Sequence, residues 1–522
     1  MAQIEKADIP TLEKPALYPY QREVRSQLYD AIREGKKRVL VFAPTGAGKT
    51  ILAGQIVADA VSKGRRVLFV VDLDVLIPQT WQKFKLFGLE CGFIKAGWEE
   101  NRAALVQIAS AQTLPRRSWW REQHFDVVIL DEAHKTGWKT VTKEMMAATL
   151  PDSYYIGLTA TPWRLSKREG MGDIFESLVA APMPWQLMDA GFLVRPVCYG
   201  IKGVCYGIKG ADLDKVSIVA GDYAESELGV VCNVPEVVER IISEWQRLCQ
   251  GRRTICFAVN IAHSKSIVQA FKDAGVTAEH VDGSYTSKQR AAIYDRLASG
   301  ETSVLSSCGV LQEGFDVPSV AAILLCRPTK SKALYFQQVG RGLRISPQTE
   351  KTDCLVLDQA GNVKRFGFIE SLKRVSLSSG SDDPLGEPPT KTCPECGYMM
   401  HLSIMVCPAC GYEFPHKEKY VPLEQLELML SREDKPRFKW FRKQVLTGYK
   451  RNYSPSWAAV TYREEYTSYP PDDWRRHSIF GETPTLTQKD EYRQYLKLQA
   501  EKHGKNDDWI AMHMRLEFGR NA

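Results

Sequence analysis

No apolar run in this 522-residue chain approaches the roughly 18–20 residues that a membrane-crossing helix needs. The opening segment, MAQIEKADIP, has no apolar stretch of the kind found in a secretory leader. Neither sign of charge dominates: 69 Lys and Arg against 62 Asp and Glu leave a formal net charge of +7. That balance permits a polyanionic partner without demanding one. The 13 cysteines are scattered and odd in number, which argues against a disulfide framework and for a reducing compartment with room for a metal site. A cytoplasmic protein with no membrane partner is expected. Repeat architecture is missing as well: VCYGIKG at Val197–Gly203 recurs once, at Val204–Gly210, and one copy is not an array. Charged residues at 25% and hydrophobic residues at 44% exclude a mainly disordered chain, a collagen-like repeat and a coiled-coil rod. At roughly 150 residues per domain the length suggests about three to four domains.

What is present is an α/β pattern over residues 15–375. Short apolar runs end in turn residues and lead into helical patterns: Arg38–Ala43, Arg66–Val71, Asp126–Leu130 and Tyr155–Leu158, then Thr254–Ala258, Ser303–Ser306, Val320–Cys326 and Asp353–Leu357. Unalternated Val, Ile and Leu suit parallel strands buried on both faces, and interleaved helices suit right-handed βαβ units. Two series imply two sheets. The boundaries read as 1–190 for a first domain, 191–228 for a connecting segment and 229–375 for a second domain. Residues 376–391, rich in Ser, Gly, Pro and Asp, read as a linker. A Cys-bearing module over 392–416 and a basic, mostly helical domain over 417–522 follow.

Ala43–Thr50 reads APTGAGKT, directly after a strand and before a helical pattern. That is the setting of a phosphate-binding loop. The backbone of Thr45, Gly46, Ala47 and Gly48 would wrap phosphates, helped by the helix N-terminus. Lys49 would reach the β- and γ-phosphates and Thr50 would hold Mg²⁺. About 80 residues on, a strand ends in Asp131-Glu132-Ala133-His134. Carboxylates there face the ligand crevice of an α/β sheet. Asp131 would hold Mg²⁺ and Glu132 would orient and activate the attacking water.

Cys393, Cys396, Cys407 and Cys410 form CxxC–x10–CxxC, each pair followed by Gly-Tyr. Two such knuckles suit tetrahedral Zn²⁺. His401 lies between them and is not needed as a ligand. Lys435–Arg451 holds seven Lys or Arg and no acid, interleaved with aromatics. Lys435, Arg437, Lys439, Trp440, Arg442 and Lys443 are candidates to neutralise phosphates or stack on bases. An amphipathic helix with its aromatics packed inward fits the same pattern.

In order along the chain, these motifs resemble superfamily 2 helicases of the DEAH-type branch. The resemblance implies two tandem RecA-like parallel-sheet domains, α/β in class, with a zinc ribbon and a mostly α C-terminal domain. It implies that Gln21, in Leu17–Gln21, reads the adenine. Gln112 and Thr113, in Gln107–Leu114, would touch nucleic acid, as would Asn260 in Phe257–His263. His134, with Thr159 and Thr161 of Leu158–Pro162, would couple nucleotide state to domain closure. Gly314 and Asp316, in Gly309–Pro318, would lie at the nucleotide. Gln337, Arg341 and Arg344, in Gln337–Arg344, would come from the second sheet to the γ-phosphate; such arginines are worth roughly 10³- to 10⁵-fold in rate. Asp72 and Asp74 stand where related motors often carry a basic residue.

The run Gln337–Asn362 and the zinc segment look closest to the bacterial RadD-like DNA helicases. Ser456–Tyr466 with Pro470 resembles the tails of phage and prophage helicases. The implied activity is an ATP-dependent DNA helicase or translocase of repair, recombination or replication, using ATP, Mg²⁺ and Zn²⁺. Single-stranded, forked or branched DNA is the expected partner, with single-strand-binding or recombination proteins beside it. An RNA helicase, a double-strand translocase without unwinding, and a DNA-binding adaptor with a switch-like ATPase stay open as alternatives.

Overall fold

The computed structural model describes residues 15–137, 139–162, 170–201, 213–219, 221–311, 315–378, 388–414, 434–475, 478–481 and 484–518. Gly314 and the second VCYGIKG copy lie outside them. The chain divides into two compact units, Met1–Phe414 and Pro415–Ala522.

The first unit holds two parallel α/β sheets. Sheet one comprises β1 (Arg38–Phe42), β2 (Val67–Val71), β3 (Cys91–Ile94), β4 (Val106–Ser110), β5 (Val127–Leu130), β6 (Tyr154–Thr159) and β7 (Ser177–Ala180), in the order β3-β4-β2-β5-β6-β1-β7. Its central strands are apolar on both faces: Val67–Val71 is buried throughout. β8 (Arg195–Gly200) leads into sheet two, and a short hairpin, β9 (Ile218–Val219) with β10 (Asp222–Tyr223), follows it. Sheet two continues with β11 (Thr254–Phe257), β12 (Ala278–Val281), β13 (Val304–Ser307), β14 (Ala322–Leu325) and β15 (Asp353–Asp358), in the order β12-β13-β11-β14-β15-β8. Every pairing in both sheets is parallel. One contiguous apolar cluster includes residues of both sheets.

The stretch 191–228 is therefore more than a connection, because β8 is the outer strand of sheet two. Its sequence, RPVCYG, hides it: Pro196 belongs only where a strand has a free edge. The hairpin of β16 (Thr390–Thr392) and β17 (Met399–His401) brings the cysteine module against that edge. Gly200 N donates to Gly397 O at 2.9 Å, Tyr199 pairs with Tyr398, and Arg247 Nη2 donates to Cys396 O at 3.0 Å. An edge that would otherwise offer free backbone groups is thereby covered.

The second unit is helical, with helices Asp434–Lys450, Trp457–Tyr466, Leu486–His503 and Asp507–Phe518. Phe438, Phe441, Val445, Ala458, Tyr462 and Trp474 form one core, and Tyr492, Leu496 and Met514 another. Among the described residues no helix is long and apolar enough to cross a membrane.

Candidate nucleotide site

Strands β5, β6 and β1 are neighbours in sheet one, so Asp131–His134, Thr159–Pro162 and Ala43–Thr50 leave the sheet side by side. The loop after β1 turns into helix Lys49–Val61 through two left-handed glycines, Gly46 at φ 90° and Gly48 at φ 72°. Side chains at such φ values are strained, and the amides of such a turn form an anion-binding concavity. A Cβ on Gly48 would also stand 2.5 Å from Gln21 Nε2. Gln21 is buried and braces the loop: its Nε2 donates to Ala47 O at 3.0 Å, and Tyr20 OH donates to the same oxygen at 2.9 Å.

Lys49 Nζ lies 2.8 Å from Glu132 Oε1. Glu132 has φ 45°, outside the usual range for a side-chain-bearing residue, and caps the short helix Ala133–Thr136. Holding it there costs about 1–3 kcal/mol, strain of the kind that gathers at functional sites. Burial would push the Glu132 carboxyl up, but Lys49 and His134 outweigh that and hold it down to about 2. It is a carboxylate at neutral pH. Burial pushes the His134 imidazole down to about 4, so it is neutral there. His134 Nδ1 sits 3.0 Å from Thr159 Oγ1 and 3.4 Å from Glu132 Oε2. Thr159 Oγ1 in turn accepts from Thr161 N at 3.0 Å. Asp131 Oδ1 accepts from Glu132 N at 3.0 Å, and Thr50, one residue after Lys49, is exposed.

Sheet two roofs this loop. Helix Lys332–Gly340 ends against it, with Gly340 so near Thr45 that a Cβ would collide. A Cβ on Gly46 would lie 2.9 Å from Leu193 Cδ2 and 3.5 Å from Arg344 Cγ. Arg341 and Arg344 both donate to Phe315 O, at 3.0 and 3.3 Å. Arg344 also pairs with Asp316 at 2.7 Å, and Asp316 with Lys83 of the first domain at 3.3 Å. Burial would raise the Asp316 carboxyl, but Arg344 and Lys83 outweigh it and hold it below the usual range. Asp316 is thus an ion-pair tie between the domains. Gln337 is buried and its Nε2 has no hydrogen-bond partner; the same holds for Thr161 Oγ1. Orphaned polar atoms around a glycine loop fit a polar ligand such as a nucleotide.

The four ribbon cysteines converge, their sulfurs all within 4.8 Å of one another. Cys393–Cys410 and Cys396–Cys407 are each separated by 3.6 Å. Four thiolates about 2.3 Å from a tetrahedral zinc would stand roughly 3.8 Å apart, so the set fits Zn²⁺. The scattered cysteines Cys91, Cys198, Cys232, Cys249, Cys256, Cys326 and Cys354 are buried and unbridged.

The nucleic-acid candidates fare unevenly. Gln112 is exposed, but Thr113 is buried with its hydroxyl 2.7 Å from Asp74 Oδ1. Asn260 caps helix Ile261–Asp273, its Oδ1 accepting from His263 N at 2.9 Å. In the second unit Lys439 and Lys443 are exposed, whereas Lys435, Arg437, Trp440 and Arg442 are half-buried. Trp440 packs on Tyr466 with ring centroids 5.6 Å apart, and Phe438 and Phe441 are core. The sequence reading missed Lys135 and Lys139. Both approach the buried Asp72, at 3.9 and 3.3 Å. Lys135 directly follows the Asp-Glu-Ala-His motif, which was the available signal.

Comparison with known proteins agrees with this geometry. A family model described as Type III restriction enzyme, res subunit, matches residues 14–164, and one described as helicase conserved C-terminal domain matches residues 235–346. A "51.5 kDa protein" of a Lactococcus phage is 28% identical over 87% of this chain and 97% of its own length. The Saccharomyces cerevisiae protein named "Putative ATP-dependent helicase IRC3" is 28% identical over 66% of this chain and 52% of its own length. The fold is similar to that of the ATP-dependent Type ISP restriction-modification enzyme LlaBIII bound to DNA, with TM-score 0.51 at 18% identity, over 66% of this chain and 28% of that one.

Proposed function

For a chain that belongs to the superfamily 2 helicases and is a nucleic-acid-dependent ATPase, we propose a DNA-directed motor: an ATP-dependent DNA helicase or translocase of repair, recombination or replication, in a phage or prophage setting. The carrying observation is the Lys49–Glu132 pair lying at a loop that residues of the second sheet roof. In this reading ATP draws Lys49 from Glu132 onto its β- and γ-phosphates. The freed carboxylate takes a proton from the attacking water as the bond between the γ-phosphorus and its bridging oxygen breaks and ADP leaves. A divalent cation bound there supplies charge neutralisation, with Thr50 and Asp131 as its holders. Arg341 and Arg344 stabilise the transferring phosphoryl group from sheet two, so turnover depends on the roof being closed. Gln337 and Thr161 take polar atoms of the nucleotide, and His134 with Thr159 and Thr161 relays its state to the roof. Gln21 supports the loop and lies at the adenine. Asp316 holds Arg344 until closure. Four thiolates hold zinc and keep the ribbon on the edge of sheet two.

A restriction-subunit family model favours DNA over RNA. The same model favours a second reading, translocation on duplex DNA without unwinding. Steady-state ATP turnover with single-stranded, forked and duplex DNA and with RNA separates these. Salt-sensitive stimulation by single-stranded or forked DNA is expected. Stimulation by duplex alone, with triplex displacement and no fork unwinding, favours the second reading; stimulation by RNA alone overturns both.

A further inference from the structure

Asp72 and Asp74 follow β2 two residues apart, yet their carboxylates are held differently. Asp74 is satisfied by neutral hydroxyls, those of Ser110 and Thr113. Asp72 is buried at 6% exposure; its Oδ1 accepts no hydrogen bond and has ion-pair contact with Lys139 at 3.3 Å. Lys135 stands 3.9 Å from Oδ2. The acid is hidden, whereas the Lys135 and Lys139 side chains are 37% and 44% exposed. The lysines are thus open to a solvent-borne anion, whereas little of the carboxylate is exposed.

The surroundings point to which anion. A cavity of about 450 Å³ opens here, lined by Asp72, Gln79, Gln82 and Lys135 from the first domain and by Arg290 and Tyr294 from the second. It bridges the two sheets, mixes cations with amides, and has an aromatic ring on one wall. Lys135 sits in the turn capped by Glu132: Lys135 N donates to Glu132 O at 2.8 Å, and Thr136 Oγ1 to Asp131 O at 2.8 Å. A displacement of Lys135 therefore acts on the segment that carries the strained Glu132.

We propose that Asp72 is an internal stand-in for a nucleic-acid phosphate, holding Lys135 and Lys139 while no strand is bound and yielding them to a backbone phosphate when one enters the cavity. The inference rests on the motor reading above and adds to it the residue that ties strand binding to hydrolysis. With no strand, Asp72 restrains the turn bearing Glu132. An entering phosphate competes for Lys135 on the cavity wall and, being like-charged, disfavours the pairing of Asp72 with both lysines. The buried carboxylate then loses its partners, which opposes binding. Asp72 thus lowers strand affinity and makes turnover conditional on a strand.

Wild type, Asp72→Asn, Lys139→Gln and the double variant are compared by ATP turnover against single-stranded DNA concentration at two salt concentrations, with circular dichroism to check folding. Asp72→Asn should raise DNA-free turnover and lower the half-saturating DNA concentration by about fivefold or more, the effect of removing one like charge near a phosphate in a partly dry site. Lys139→Gln should raise the half-saturating concentration by a similar factor. In the double variant the two effects should not multiply, because the residues share one interaction. A folded Asp72→Asn whose DNA-free turnover and half-saturation match wild type overturns the inference alone. So does one whose turnover falls in equal proportion with and without DNA. A wild type that no polynucleotide stimulates overturns the motor reading itself, and the inference with it.

Discussion

In the first compact unit Thr161 Oγ1 and Gln337 Nε2 are buried without hydrogen-bond partners beside the nucleotide loop. In the second, both ring nitrogens of His513 and Glu517 Oε2 are buried in the same condition between helices. Each such atom costs about 1–3 kcal/mol of stability. In the first unit Thr161 follows β6, the neighbour of β1, and Gln337 lies in the helix Lys332–Gly340 that ends at the left-handed glycine turn, so a bound nucleotide can complete these two atoms. In the second, His513 lies edge-on to Trp509 at 4.3 Å and shares a helix with Glu517. The lesson is that an unsatisfied polar atom points to a ligand when several elements aim at one loop. When the atoms are enclosed in a helical core, as His513 and Glu517 are, they set the stability of that unit.

The contrast breaks most sharply at Glu132. Glu132→Gln should lower ATP turnover by about 10³-fold or more while nucleotide binding persists, because the roofed loop stays intact. Retained turnover would remove Glu132 from the chemistry. Next is Cys396→Ser, which deletes one of four thiolates from a site worth roughly 10–16 kcal/mol in small zinc peptides. Zinc content should drop and amide protection should fall in β8, which the ribbon covers. Loss of zinc with unchanged protection in β8 would sever ribbon from sheet.

Glu517→Gln sharpens the second unit's side of the comparison. Burial lifts Glu517 from 4.5 to about 7, so the folded state keeps a proton that the unfolded chain gives up, and its share of stability falls as pH rises through that window. Burial lowers His513 from 6.5 to about 3, so its share rises with pH between those values. Between about pH 4.5 and 6.5 the two oppose each other. Hydrogen exchange in helix Asp507–Phe518, corrected for intrinsic rates, should be nearly level with pH in wild type and should slow with rising pH in the variant. Equal profiles would contradict that balance. The smallest effect belongs to Lys439 and Lys443. Replacing each with Ala should flatten the salt dependence of single-strand binding by about 0.7 in log–log slope per lysine and leave DNA-free turnover alone. An unchanged slope would leave the helix Asp434–Lys450 as core only.

Much of the first unit was legible because its motifs fix spacing and context together. APTGAGKT after an apolar run, and Asp131–His134 after another, locate the ends of β1 and β5 to within a residue. The edges were not legible: β3, β7 and β12 hold four residues each, and β8 contains a proline that reads as a break. At Gln107–Leu114, which the resemblance marks as a nucleic-acid stretch, β4 takes half the residues into the core, and at Asn260 the amide caps a helix; neither placement is stated by the local sequence. In the tail, basic and aromatic residues alternate in a way that serves a stacking surface and an amphipathic helix equally. Packing assigns two of the aromatics to the core, since Phe438 and Phe441 turn inward, and leaves Lys439 and Lys443 exposed. The Asp72 ion pairs depend on β2 and β5 being neighbours, which no local pattern states.

The most direct test of the central claim is ATP turnover by zinc-replete wild type and by Lys49→Ala, each with and without single-stranded DNA. The account predicts strong, salt-sensitive stimulation of wild type and background turnover in a folded Lys49→Ala. Turnover that survives the substitution would contradict it, as would wild-type turnover indifferent to every polynucleotide.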